Sequence, residues 1–66
     1  MQEFGAKLHT ARKAKGLTQQ DMANKLKIHR TTYTKYETNV AEPSLALLRE
    51  LAVLLEISVD ELLSLK

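Results

Sequence analysis

The stretch TQQDMANKLKIHRTTYTKYE, Thr18 to Glu37, decides the fold of this 66-residue chain. Its apolar residues are Met22, Ala23, Leu26, Ile28, Tyr33 and Tyr36. Met22 and Ala23 lie four and three residues before Leu26, and Tyr33 lies three before Tyr36, which is the spacing of a helix face. The phase slips between Leu26 and Tyr33, so the pattern predicts two short helices joined by a tight turn, a helix-turn-helix. The second helix shows HRTTYTK outward, a polar face without an acid.

The composition favours a single small all-α domain. A chain of 66 residues makes one domain at most and buries only about 60% of its unfolded surface. The sequence has no cysteine, so neither a disulfide nor a thiolate metal site can stabilise it. Glycine occurs twice and proline once, and good helix formers dominate the rest. Stability must therefore come from close packing of helices, with dimerisation as a further source.

Charge is distributed unevenly along the chain. Residues 1–40 carry eight Lys or Arg residues and three acids, a net charge of +5. Residues 41–66 carry two Lys or Arg residues and five acids, a net charge of −3. A basic half is typical of proteins that bind polyanions, although a solvated lysine-rich surface would give the same count. No apolar run is long enough to span a membrane, and no signal peptide is evident, so we expect a cytoplasmic protein.

Helix start and stop signals divide the chain into five segments. We expect helices at about 2–15, 18–26, 30–38, 45–55 and 59–65. Gly16 suits the left-handed end of the first helix, and Asn39 can end the third in the same way. Thr18 and Asp21 have the spacing of a capping box at the start of the second. Ser44 and Ser58 are the expected caps of the last two.

Three leucines do not fit easily onto the inward faces of the last two helices. They are Leu47, Leu54 and Leu65. Isolated surface leucines are normal in soluble proteins. An apolar patch in the acidic half would alternatively serve as a dimer interface.

An ordered set of residues, spread over most of the chain, matches a known pattern. Its members are Arg12, Gly16-Leu17-Thr18-Gln19, Ala23, Ile28, Tyr36-Glu37, Pro43-Ser44-Leu45, Leu51-Ala52 and Ser58 to Leu63. Together they resemble the XRE family of phage Cro proteins and repressors. That family is a compact five-helix repressor-like domain, all-α, which binds operator DNA, usually as a dimer. Its third helix, here about 30–38, lies in the major groove.

The resemblance also implies a set of site residues. Positions that read base edges or the nearby backbone fall on His29, Arg30, Thr31, Thr34 and Lys35, and Gln19 falls on a phosphate-contacting position. We further expect phosphate contacts from Lys27, Thr38 and Asn39. Arg12 and Glu37 match an internal salt bridge between the first and third helices. An arginine can bond guanine O6 and N7, and a threonine can bond a base or pack its methyl group on thymine. An ordinary solvated helix face is the simpler alternative for these residues.

The chain departs from the family pattern in its turn and in the loop after the third helix. Lys27 replaces the usual glycine, which costs about 1 kcal/mol if its φ is positive. His29 is a weaker N-cap than serine or threonine. The segment Val40-Ala41-Glu42 lacks the basic residues that many relatives carry there.

The expected function is sequence-specific binding of double-stranded DNA by a transcriptional regulator, a repressor that acts as a homodimer on a palindromic operator. The alternative is a protein-interaction module on the same fold, antitoxin-like or coactivator-like, for which DNA binding is secondary. An enzyme is not expected, because no nucleophile–base pair, phosphate loop or metal-ligand spacing is visible. No cofactor or metal is expected, and His9 and His29 are interpreted as surface residues.

Overall fold

The computed structural model describes residues 2–63, which form five helices and no strand. The helices are α1 (Gln2–Ala14), α2 (Gln19–Leu26), α3 (Arg30–Glu37), α4 (Leu45–Leu55) and α5 (Val59–Leu63). The predicted all-α, five-helix fold is confirmed within these residues. Each helix boundary lies within one residue of its expected position, except that the end expected for the fifth helix lies outside the described residues.

Side-chain caps start three of the helices. The Thr18 hydroxyl accepts the Asp21 backbone N–H at 3.0 Å, and the Asp21 carboxylate accepts the Thr18 backbone N–H at 2.9 Å. Ser44 accepts the Leu47 N–H at the start of α4, and Ser58 accepts the Glu61 N–H at the start of α5. These bonds satisfy backbone donors that have no partner within the helix, so the polar residues between the helices fix where each begins.

Residues with a left-handed backbone conformation end the first four helices or follow them closely. Gly16 has φ 72°, Lys27 has φ 60° and Asn39 has φ 63°, as the sequence suggested. Glu56, after α4, has φ 58° although nothing in its residue type predicts it. Lys27 and Glu56 each carry a Cβ in a conformation that glycine adopts more easily.

The core lies where α1, α2 and α3 meet and continues between α4 and α5. Its buried apolar residues are Phe4, Leu8, Met22, Ala23, Leu26, Tyr33, Tyr36, Leu48, Leu51, Ala52, Leu55 and Leu62. Gly5 of α1 packs against the last turn of α3, where a Cβ would collide with the backbone carbonyl of Glu37. A side chain at this position would therefore force α1 and α3 apart.

The leucines considered for a dimer patch are less exposed than the sequence suggested. Leu47 and Leu54 are half-buried and pack against the core, while Leu65 lies outside the described residues. Within the part of the chain that the structure describes, the exposed large apolar side chains are Val40, at 71%, Leu45, at 62%, and Val53, at 76%. Among residues 2–63, no helix combines the length and apolarity needed to cross a membrane.

Candidate nucleic-acid interface

A buried carboxylate at the end of α3 joins the first three helices. The Glu37 side chain is only 4% exposed. Its Oε2 accepts Arg12 Nε at 2.6 Å and the Tyr33 hydroxyl at 2.5 Å. Arg12, whose side chain is 7% exposed, also directs Nη2 towards Oε1 at 3.3 Å. The two residues that the resemblance pairs therefore form a two-point ion pair between α1 and α3.

Two further side chains reach the other oxygen of this carboxylate. Gln19, the first residue of α2, donates from Nε2 to Glu37 Oε1 at 3.1 Å. His9 Nδ1 lies 3.1 Å from the same oxygen and 3.0 Å from Arg12 Nη2. His9 is half-exposed, so the interpretation of it as a surface residue captured its exposure and missed its contacts. Glu37 thus has partners on all three helices of the basic half.

These bonds keep the carboxylate charged. Burial would raise the pKa of Glu37, but hydrogen bonds from Arg12, Tyr33, Gln19 and His9 together lower it to about 2. Burial, together with the hydrogen bond to Glu37, raises the pKa of the Tyr33 hydroxyl far above its ordinary value. The Tyr33 hydroxyl therefore remains a hydrogen-bond donor, and Glu37 an acceptor, throughout the physiological pH range.

Two more bonds tie α1 to the segment before α2 and to the segment after α3. Arg12 Nη1 donates to the Leu17 carbonyl at 2.7 Å, just before α2. Asn39 Oδ1 accepts the Gly5 backbone N–H at 3.1 Å, just after α3. Since both bonds involve α1, this helix acts as a brace that fixes the position of α3 relative to α2.

The opposite face of α3 is open to solvent and basic. Arg30, Thr31 and Lys35 are exposed, and Thr34 is half-buried. His29 is the exposed N-cap and makes no side-chain capping bond, so the weak cap expected from the sequence is observed. The first turn of α3 contains no acid. The five predicted base-reading positions therefore lie on the N-cap and outward side of one helix.

The hydroxyls of Thr34, on α3, and Thr38, just after it, bond within the protein. Thr34 Oγ1 lies 2.9 Å from the Arg30 carbonyl and 3.1 Å from Gln19 Oε1, and its single hydroxyl hydrogen is shared between these two acceptors. Thr38 Oγ1 donates to the Thr34 carbonyl at 3.0 Å. Such bonds to the preceding turn are common for threonine in helices.

The predicted phosphate-contacting residues lie around the edges of this surface. Gln19 lines an open groove together with Lys13 and Arg30, beside the N-terminus of α2. Lys27 is exposed in the turn between α2 and α3. Thr38 and Asn39 are exposed at the far end of α3. Gln19 both lines the groove and bonds two side chains of α3, those of Glu37 and Thr34.

Sequence reasoning missed the roles of His9 and Tyr33 in the polar network. Helical spacing puts Tyr33 on the apolar face with Tyr36, and it is buried, but this spacing does not reveal the bond from its hydroxyl to Glu37. Spacing offered a partial signal, because Tyr33 and Glu37 are four residues apart on α3 and His9 and Arg12 are three apart on α1. In residues 2–63, no group of three or more His, Cys, Asp or Glu side chains is arranged to hold a metal ion.

Two packed helices joined by a short turn, the second with an exposed basic face, define a helix-turn-helix protein. A family model described as Helix-turn-helix (HTH_3) matches residues 8–62. The chain belongs to this XRE-type helix-turn-helix family, whose named relatives are transcriptional regulators.

Curated relatives cover most of the chain. It is 47% identical over 60 residues, 91% of its length, to the SPbeta prophage-derived uncharacterized HTH-type transcriptional regulator YonR of Bacillus subtilis, of which it covers 56%. It is 43% identical over 56 residues, 85% of its length, to the cryptic phage CTXphi transcriptional repressor RstR of Vibrio cholerae, of which it covers 50%. It is 36% identical over 62 residues, 94% of its length, to the HTH-type transcriptional activator BcrR of Enterococcus faecalis, of which it covers 30%.

The chain thus spans about half the length of YonR and RstR and less of BcrR. No solved structure matches it.

Proposed function

We propose that the chain binds double-stranded DNA sequence-specifically as a transcriptional regulator, with α3 in the major groove. The observation that carries this proposal is the exposed, acid-free face of α3, which holds Arg30, Thr31 and Lys35. The opposite side of α3 is fixed by the buried Glu37 network. A rigid helix with a polar, positively charged outer face is suited to insertion between two phosphate backbones.

Each base-reading position has a chemical role in this proposal. Arg30, at the start of α3, forks onto guanine O6 and N7, the commonest specific contact in the major groove. Lys35 lies on the outward face nearer the end of the helix and donates to a base or to a phosphate. Thr31 and Thr34, which lie between Arg30 and Lys35 along the helix, also contact bases. His29 at the N-cap contacts a base edge or the adjacent backbone.

Phosphates anchor the surface at its edges. The Gln19 amide donates one N–H to Glu37. Its second N–H donates to a phosphate beside the N-terminus of α2. Lys27 adds charge at the turn. Thr38 and Asn39 are phosphate candidates because they are exposed at the far end of α3. The Thr38 hydroxyl donates to the Thr34 carbonyl, so the support for Thr38 is its exposed position alone.

We further propose that the protein represses transcription as a homodimer on a palindromic operator. One α3 reads only a few base pairs, and two-fold symmetry would place half-sites about 34 Å apart. Repression draws its support from the likeness to RstR, while the likeness to BcrR favours activation. The C-terminal half is the proposed dimer region, in which Leu47 and Leu54 are partly covered and Leu45 and Val53 are exposed.

Selection of bound duplexes from a random pool tests the proposal directly. We expect a symmetric consensus and an affinity that falls steeply as salt rises, because Lys and Arg contacts release counterions from the phosphates. A reporter with the selected site between promoter elements then distinguishes repression from activation. Failure to enrich any sequence, together with binding that does not respond to salt, would contradict the proposal.

The variant Arg30→Ala tests the central base contact. We expect it to weaken binding to the selected duplex about 10- to 100-fold, as the loss of a bidentate guanine contact does, and to affect random DNA much less. Lys7→Ala removes the same charge from the exposed surface of α1 and serves as the control. Equal losses on both DNAs would place Arg30 on a phosphate instead.

The protein-interaction alternative finds its best support on α4. Leu45 and Val53 are exposed there, whereas the exposed large apolar residues among 2–63 include none from α3. Binding hot spots in protein interfaces are usually large apolar or aromatic anchors. This distribution favours DNA as the partner of α3 and leaves α4 as the face that a protein partner or a second copy would use.

A further inference from the structure

The hydroxyl group of Thr34 has a single hydrogen, and the structure directs it into the protein. The Arg30 carbonyl lies 2.9 Å from Oγ1, and Gln19 Oε1 lies 3.1 Å from it. Both are acceptors without a hydrogen of their own. Donation to a base would take this hydrogen away from both acceptors, so Thr34 is a poor donor to the acceptor atoms of the major groove.

The Gln19 amide is oriented so that it reinforces this arrangement. Its Nε2 donates to Glu37 Oε1 at 3.1 Å, and its Oε1 receives the Thr34 hydroxyl. The reverse orientation would place the amide oxygen against a buried carboxylate, where neither atom can donate. Glu37 thus fixes Gln19, and Gln19 in turn favours the inward direction of the Thr34 hydroxyl.

We infer that Thr34 recognises the C5-methyl group of a thymine through its own methyl group. The inference rests on the proposed function, because it requires α3 to lie in the major groove. With its hydroxyl hydrogen committed, Thr34 does not donate to the acceptors of guanine or thymine, and apolar contact is the means by which it recognises thymine, which alone presents a methyl group there. Acceptance by Oγ1 from an adenine or cytosine amino group is the competing contact, and it would leave no thymine sensitive to loss of its methyl group. The bonds to the Arg30 carbonyl and Gln19 therefore bias the kind of base that Thr34 favours.

A uracil scan of the selected duplex tests the inference. Each thymine is replaced in turn by deoxyuridine, which removes the methyl group and leaves every hydrogen-bonding group in place. For the unaltered protein, we expect one thymine per half-site at which the change weakens binding about four-fold, which corresponds to about 0.8 kcal/mol for one buried methyl-sized group. The same scan is then run with two variants that separate the two halves of the threonine side chain.

Thr34→Ser keeps the hydroxyl and removes the methyl group, and Thr34→Val does the reverse. We expect the serine variant to bind the thymine and uracil duplexes equally at that position, and the valine variant to keep the four-fold preference. Thr10→Ser makes the same chemical change on the exposed surface of α1, where it lines a groove with Ile57, and should leave the scan unaltered. Circular dichroism confirms that each variant is folded.

The possible failures are distinguishable. If no sequence is selected, the proposed function itself fails. If a site is selected but contains no thymine, if no thymine is sensitive to uracil, or if Thr34→Ser keeps the preference and Thr34→Val loses it, the methyl assignment is wrong while the proposed function stands.

Discussion

The basic half of the protein, α1 to α3, and the acidic half, α4 and α5, are held together by different chemistry. The buried residues of α4 and α5 are all apolar. The basic half instead buries an ion pair, Arg12 with Glu37, and a tyrosine hydroxyl that donates to the same carboxylate. An exposed salt bridge, from Lys15 Nζ to Glu56 Oε1 at 2.8 Å, links the two halves.

The two halves show that burying apolar surface and fixing the orientation of a helix depend on different interactions. Apolar contacts are non-directional and tolerate small shifts of one helix against another. Hydrogen bonds with several fixed partners do not, and the Glu37 carboxylate has such partners on α1, α2 and α3. A buried ion pair adds little net stability compared with an apolar pair of similar volume. We therefore interpret the network as a device that sets the angle of α3, and the apolar half as support.

The largest expected effect is the loss of one member of the ion pair. Glu37→Leu should reduce the free energy of unfolding by about 3–5 kcal/mol, because it leaves the Arg12 guanidinium buried without its counter-charge. The double variant Arg12→Met/Glu37→Leu removes both charges and should recover a large part of that loss. Urea denaturation measures both. An equally large loss in the double variant would mean that the pair itself stabilises the fold.

The second largest effect is expected in the pH dependence of the free energy of unfolding, through the buried carboxylate of Glu37. Its pKa is about 2 in the folded protein, below the ordinary value of 4.5, so its contribution is fully present above pH 4.5. That contribution, about 3 kcal/mol, is lost as the pH falls from 4.5 towards 2. The difference in unfolding free energy between the unaltered protein and Glu37→Gln should shrink over this window. Glu50→Gln, at an exposed position on α4, is the control, and a difference that stays constant would contradict the assignment.

A smaller effect is expected at the turn between α2 and α3. Lys27 has φ 60°, so Lys27→Gly should raise the free energy of unfolding by about 1 kcal/mol. Lys27→Ala removes the same charge and keeps the Cβ, so it should show no such gain. If Lys27 contacts a phosphate, both variants should weaken DNA binding uniformly across sequences and reduce the salt slope by about one. A gain of equal size in the alanine variant would exclude backbone strain as its cause.

Much of the fold followed from local signals in the sequence. Thr18 with Asp21, Ser44, Ser58, Gly16 and Asn39 mark helix ends through chemistry confined to one turn of chain, and local chemistry can be read from spacing. Glu56 shows the limit of this approach, because it takes the left-handed position at the end of α4, where the Ile57 N–H bonds the Ala52 carbonyl at 3.1 Å, although its residue type gives no signal for it.

The candidate site was only partly predictable for the same reason. The Arg12–Glu37 pair came from resemblance, and the outward positions of α3 came from helical periodicity. The convergence of His9, Gln19 and Tyr33 on one carboxylate depends on how three helices dock, which spacing along one helix cannot supply. Leu47 and Leu54 were placed outside the inward face, whereas the core contact of α4 is wide enough to cover them partly.

The buried network should hold α3 in the orientation that DNA reading requires, and its removal can be measured directly. The double variant Arg12→Met/Glu37→Leu, shown to be folded by circular dichroism, is titrated with the selected duplex and with random DNA. We expect its preference for the selected duplex to fall by about ten-fold or more, the equivalent of at least one lost base contact. An intact fold with an unchanged preference would show that α3 does not depend on the network for DNA reading.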